Sequence, residues 1–153
     1  MSAEGFDAFA EIVGPRLQRG FVVCRGIDGA ADATAEALAY AWQHWSRIEQ
    51  MDNPAGYLYR VGVSRTRRRR RPLPRLPEPS SFELPDVEPK LVPALRRLPE
   101  SQRIAVWLVH GCGWSYADVA VALGIGASTV GTHVSRALAT LRVELGVDEH
   151  VER

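Results

Sequence analysis

Apolar residues along the first sixty positions return at three- and four-residue steps, the period of a helix with one buried face. Phe6, Phe9, Ala10, Val13 and Leu17 make the first such stripe, with Pro15 near its end. Gly26 to Gly29 interrupt the pattern. An alanine-rich helix follows over Ala30–Trp45, with Leu38, Ala41, Trp42 and Trp45 available for packing. Asn53 and Pro54 open a third helix, Asn53 as its cap and Pro54 in its first turn, where a missing N–H costs nothing. That helix runs through Tyr57, Leu58, Val61 and Arg65 into a run of arginines that no proline interrupts before Pro72. The second half predicts a short helix over Val92–Arg97 and another from Pro99, whose core face is Ile104, Trp107 and Leu108 and which ends near Gly111–Gly113. Strand-like alternation is missing, so the expected fold is all-α.

The last helical pair is the most specific. Ser115 stands three residues before Asp118, the spacing of a capping box. Val119, Ala120 and Leu123 then share a face, and Gly124 stands where a left-handed residue would end the helix. Ile125 fits the corner, and Val130 with Val134 gives the next helix a buried stripe. Ser128, Thr129, Gly131, Thr132, His133, Ser135 and Arg136 are left to face outward. Helical hairpins without nucleic-acid partners share parts of this pattern. The joint spacing of Ala120, Gly124, Ile125 and Val130 favours a helix-turn-helix that enters a DNA major groove.

Seven of the ten prolines lie between Pro72 and Pro93, which excludes a long helix there and reads as a semi-extended linker. The expected architecture is two small helical domains, residues 1–71 and 91–146, with a Pro-rich linker over 72–90 and a tail over 147–153. The second domain carries the helix-turn-helix.

Charge sharpens this division. The net charge is only +1, but eight acids face four arginines through residue 59, whereas residues 60–75 hold eight arginines and no acid. One concentrated cationic block points to local phosphate contact rather than general adhesion to polyanions. Arg60, Arg65 and Arg67 to Arg71 are placed to meet phosphates, with planar heads suited to them. A solvated basic helix end is the plainer alternative. Trp42, Trp45, Tyr57 and Tyr59 precede the block. Such residues are usually core, but beside a phosphate-binding helix at least one is expected to hold an unstacked base. Asp28, Asp32 and Glu36 form an acidic stripe without a converging acid, base or metal partner, so a protein-docking face fits better than catalysis.

The remaining chemistry is mostly exclusion. Cys24 and Cys112 lack metal-ligand or redox spacing, and His44, His110, His133 and His150 are scattered. No metal, cofactor or catalytic set is expected. No apolar run approaches the roughly 20 residues that span a bilayer, and the acidic N-terminus is unlike a signal peptide, so a cytoplasmic location without membrane insertion is expected.

Taken in order, these segments resemble the extracytoplasmic-function sigma factors, two-domain specificity subunits of bacterial RNA polymerase. FDAFAEIVGPRL resembles the family's opening helix, and DGAADATAEALAYAW its acidic helix ending in tryptophan. NPAGYLYRVGVSRTRRRRR resembles the segment that binds and opens the −10 element. LRRLPESQRIAVWLVHGCGWSYADVAVALGIGASTVGTHVSRALATLR resembles the domain that reads the −35 element. The chain departs from the family's habit at Gly131, often basic, at Ala35, usually glutamine, and in having Ser64 and Thr66 where Asn or Asp is common.

The resemblance implies a function and a set of residues. Asp32, Glu36 and Trp42 would dock on the clamp helices of the largest subunit of core RNA polymerase. The loop from Arg47 to Asn53 would capture a flipped −10 base, with Tyr57, Tyr59, Arg60, Arg65, Arg67 and Arg68 contributing to −10 binding and melting. Ser128, Thr129, Gly131, Thr132, His133 and Arg136 would meet the −35 element, Arg136 on its backbone. Glu83, Asp86 and Glu88 would lie in the polymerase cleft. Implied partners are core RNA polymerase, promoter DNA and an anti-sigma factor. Two other readings stay open: a helix-turn-helix regulator acting without polymerase, and a degenerate sigma-like protein that occupies polymerase or a partner.

Overall fold

Helix α1 covers Ala3–Gln43 and is two helices joined at Gly26, whose φ of 72° and ψ of 179° only glycine adopts at low cost. The computed structural model describes residues 3–67 and 89–146. The break is therefore one residue, and the second half of α1 starts several residues before the expected Ala30. A short helix α2, Trp45–Ile48, leads to α3, Pro54–Thr66. Pro54 opens α3 as expected, but Asn53 makes no side-chain cap bond. Across the linker stand α4, Leu91–Arg97, and α5, Glu100–Val106, the latter continuing into a π-helical turn over Trp107–Gly111. Helices α6, Tyr116–Leu123, and α7, Ala127–Glu144, complete the order. Every regular element among the described residues is helical.

Close packing in the first unit depends on what is missing from Gly62. A Cβ there would lie 2.3 Å from Phe21 Cζ and 2.9 Å from the Ala33 carbonyl oxygen. Helix α3 consequently lies directly on both halves of α1. Phe21 stacks on Tyr59 with ring centres 4.7 Å apart and 10° between planes. Arg25, just before the break, fastens the far end of α3. Its Nε donates to Thr66 Oγ1 at 2.9 Å and its Nη2 to the Val63 carbonyl at 2.9 Å. It thereby adds a short, charged donor to a carbonyl in the last turn, which the Thr66 hydroxyl approaches only at 3.5 Å.

The second unit holds its own small cluster, Ala94, Leu95, Leu98, Val106, Ala137 and Leu141, between α4, α5 and α7. Its larger core is shared. Leu108, Trp114, Val119, Val130 and Val134 join Leu17, Phe21, Leu58 and Tyr59 in one buried cluster. Trp114 meets Tyr59 edge-on at 5.7 Å, and the Trp107 indole N–H donates to the Arg19 carbonyl at 2.9 Å. The two helical units, separate in sequence, are thus docked on each other through α3 and α6.

Expectations that fall on the linker, on Arg68 to Arg71, on the acids Glu83, Asp86 and Glu88, and on the tail lie outside the described residues. No single helix among those described is long and apolar enough to cross a membrane.

Candidate nucleic-acid interface

The helix-turn-helix forms as its spacing predicts. Ser115 Oγ accepts from the Asp118 backbone N–H at 3.1 Å. The reciprocal half of the capping box is replaced, because the Asp118 carboxylate turns to Arg16, 3.4 Å away. Gly124 ends α6 in the left-handed region, with φ 67° and ψ 36°. Helices α6 and α7 then meet at 99°, within the range of DNA-reading helix pairs. Val130 and Val134 are buried beneath α7, while Ser128, Thr129, Thr132, Ser135 and Arg136 are exposed. Two expected contact residues are less free. Gly131 is half-buried with Tyr116 close behind it, and His133 is half-buried with its Nδ1 enclosed. The open face of α7 is therefore narrower than its sequence pattern, and centred on Ser128, Thr129, Thr132 and Arg136.

A second polar surface lies on α3 and the end of α1. Arg47 donates through Nη2 to the Tyr40 hydroxyl at 2.6 Å and to the Tyr57 hydroxyl at 2.7 Å, and those hydroxyls are 3.0 Å apart. The Arg65 guanidinium stands over the Tyr40 ring at 5.0 Å, and that of Arg47 over the Tyr57 ring at 5.5 Å. The hydrogen bond shared with Tyr40, then burial, raise the Tyr57 hydroxyl above its usual range, so Tyr57 is a neutral phenol at physiological pH. Tyr40, Tyr57, Arg60, Val61, Ser64 and Arg65 line a shallow depression of about 320 Å³. Aromatic faces beside guanidinium groups are the chemistry that holds an unstacked base and its phosphate.

The four aromatics ahead of the arginine block have different fates. Tyr57 borders the depression, whereas Trp45 is buried against Phe6 and Phe9. Tyr59 corrects the sequence expectation: it is 1% exposed, stacked on Phe21, with its hydroxyl 3.2 Å from Cys24 Sγ. Burial drives its pKa well up, and it cannot touch DNA without unfolding the core. Trp42 is 51% exposed and packs edge-on against Phe6 at 5.0 Å.

The expected docking residues are not gathered into one patch. Glu36 faces α3, its carboxylate 3.9 Å from Arg65, while Trp42 faces the start of α1. Asp32 is half-buried on the same helix. Arg60 is exposed beside Gly124, and Arg67 caps α3. Tyr40 was not singled out by sequence reasoning, because one tyrosine on an alanine-rich helix gives no hint that Arg47 and Arg65 will converge on it. Burial also raises both thiols, Cys112 to about 11, and neither forms a disulfide. Among the described residues no group of three or more His, Cys, Asp or Glu is placed to hold a metal ion.

Residues 90–141 match the family model of Sigma-70, region 4. Over 127 residues the chain is 33% identical to the RNA polymerase sigma-E factor of Streptomyces antibioticus, an alignment covering 76% of this chain and 70% of that protein. The chain belongs to the extracytoplasmic-function sigma factors. Its fold agrees. The sigma factor RpoE, co-crystallised with the anti-sigma factor NepR from Bartonella quintana, matches with a TM-score of 0.77 at 24% identity, over 96% of this chain and all of that one. CnrH, in complex with the cytosolic domain of CnrY, matches with a TM-score of 0.69 at 21% identity, over 97% of this chain and 92% of that one. Sigma factors are in general DNA-binding initiation factors rather than enzymes.

Proposed function

We propose that this sigma factor directs core RNA polymerase to two-part promoters, α7 reading the −35 element and α3 with the end of α1 holding the opened −10 element. Catalysis of RNA synthesis belongs to the polymerase, and this chain supplies recognition and melting without acting as an enzyme. The observation that carries the reading is the helix-turn-helix. A capped α6 and a 99° bend present Ser128, Thr129, Thr132 and Arg136 on an exposed face above a buried valine stripe. Thr129 and Thr132 suit base edges, whereas Arg136, two turns into α7, suits a backbone phosphate. At the other element, Tyr57 and Tyr40 would stack an unpaired base while Arg60 and Arg65 take phosphates.

Asp32, Glu36 and Trp42 remain the proposed contacts to core polymerase. Because Arg65 pairs with Glu36, the DNA-facing and polymerase-facing sides of the first unit are electrostatically linked. An anti-sigma factor as a further partner is supported by the solved complex of the sigma factor RpoE with the anti-sigma factor NepR. The cytoplasm is the proposed location, since polymerase and promoter are both there.

Salt dependence tests the assignment. Each lost phosphate contact lowers the slope of log K against log salt by about one. Replacing both Arg60 and Arg65 with alanine is expected to lower the slope of promoter-complex formation by about two, and Thr132→Ala to weaken −35 binding without changing it. Unchanged slopes for the arginine variant would overturn the phosphate assignment.

A further inference from the structure

Where the seam between the two units reaches the surface, α1, α3, α5 and α6 enclose a cleft of about 370 Å³, a volume within the range of small-molecule sites. The cleft lies across a ridge of α3 from the depression bordered by Tyr40 and Tyr57, since Arg60 and Ser64 line both. Its aliphatic wall comes from Val63 of α3, Ile104 of α5 and Leu123 of α6. Its charged groups are Arg25, Arg60, Arg67 and Glu100.

Three guanidinium groups against one carboxylate make this an anion site. Arg25 is anchored by hydrogen bonds to Thr66 Oγ1 and to the Val63 and Cys24 carbonyls, so its charge is fixed in place. Arg60, Arg67 and Glu100 are exposed, and among the described residues none of the three has an ion-pair partner. A cleft with one dominant sign of charge concentrates counter-ions, and the planar heads of Arg60 and Arg67 suit phosphate oxygens. The aliphatic wall beside them asks for an apolar, planar body on the same ligand. Glu100 narrows the choice, because a carboxylate only accepts hydrogen bonds. Guanine presents two N–H donors side by side, at N1 and N2. Adenine and cytosine set a ring-nitrogen acceptor beside their amino group, and uracil holds a single N–H between two carbonyls.

The geometry points to a guanine-nucleotide site in this cleft. The base lies against Val63, Ile104 and Leu123, its N1–H and N2–H donate to the Glu100 carboxylate, and Arg60 and Arg67 take the phosphate, with Arg25 adding its fixed charge. Arg60 is also a proposed phosphate contact of the opened −10 strand. Resting on that promoter reading, nucleotide and −10 strand compete for Arg60, and the bound nucleotide lowers promoter-complex formation.

The test is isothermal titration of the full chain with 5′-GMP, 5′-AMP and inorganic phosphate, without DNA. GMP is expected to bind at least about tenfold more tightly than either of the others, the worth of one hydrogen bond to a charged group. Glu100→Gln should bring GMP and AMP to within about twofold of each other. Ser101→Trp places an indole in the cleft from an exposed position on α5 and should abolish GMP binding. If that variant melts early, Glu100→Gln decides. No GMP binding, equal affinity for GMP and AMP, or GMP binding undiminished in both variants would overturn the site. Phosphate bound as tightly as GMP would leave an anion site and remove the base assignment. With core polymerase on a promoter carrying both elements, saturating GMP should reduce the complexes formed by the parent chain but not those formed by Ser101→Trp. Binding without that reduction would overturn the competition. If no promoter complex forms even without nucleotide, the promoter reading fails, while the titration still reports on the cleft.

Discussion

Tyr57 and Tyr59 stand two positions apart, and burial alone assigns them opposite work. Tyr59 is 1% exposed within the shared core, and its hydroxyl is matched to Cys24. Tyr57 borders the depression on α3, with its hydroxyl held by Arg47. Truncating a buried aromatic costs about 3–5 kcal/mol. Tyr59→Ala should therefore lower the thermal midpoint by ten degrees or so at about 2–4 °C per kcal/mol. Tyr57→Ala should melt close to the parent but open the −10 region poorly, as followed by 2-aminopurine fluorescence. The reverse ranking in calorimetry would remove Tyr57 from the proposed interface. Sequence periodicity could not separate the pair. Residues two apart on a helix lie on different faces, but which face meets α1 is decided by Gly62 and Phe21. The same blindness covered Tyr40, whose role depends on two arginines from other elements, and Asp118, which fits a capping box by spacing but is drawn to Arg16.

At the scale of elements the sequence was far more legible, because caps, breakers and apolar stripes act locally. Pro54, Gly124 and the Val130–Val134 stripe stand where their patterns expect them. Gly26 to Gly29 signal a break in the pattern, and the structure confines it to the single residue Gly26. The π-helical turn over Trp107–Gly111 carries no such signal. It brings the Cys112 N–H to the Trp107 carbonyl and sets Trp107 against Arg19, a requirement of the seam rather than of its own sequence. Ser115 provides the direct check on α6. Ser115→Ala removes the acceptor for the Asp118 N–H and should cost about 1 kcal/mol. With α6 loosened, −35 binding should weaken before the first unit melts. Equal stability in chemical denaturation would mean that tertiary packing, not the cap, holds the helix start.

For the whole molecule, an all-α chain with a terminal helix-turn-helix was readable from periodicity, and the family from motifs that span nearly its length. The docking of one unit on the other was not, because it depends on complementarity between faces that are distant in sequence, such as Gly56 under Asp118 and Gly20 under Trp114. Both surfaces proposed to meet the promoter nevertheless keep polar groups outward: the start of α7 on one side, and Tyr57, Arg60 and Arg65 on the other. The proposed division of labour gives the protein one task that neither unit performs alone, which is to choose start sites by two elements at once. In-vitro transcription measures that choice directly. Core polymerase, with and without this protein, would act on a genomic fragment library, and transcript 5′ ends would be mapped. New starts that share two upstream elements at a fixed spacing are the predicted result. Active core and folded protein yielding no new starts, or starts that share a single element, would contradict the account.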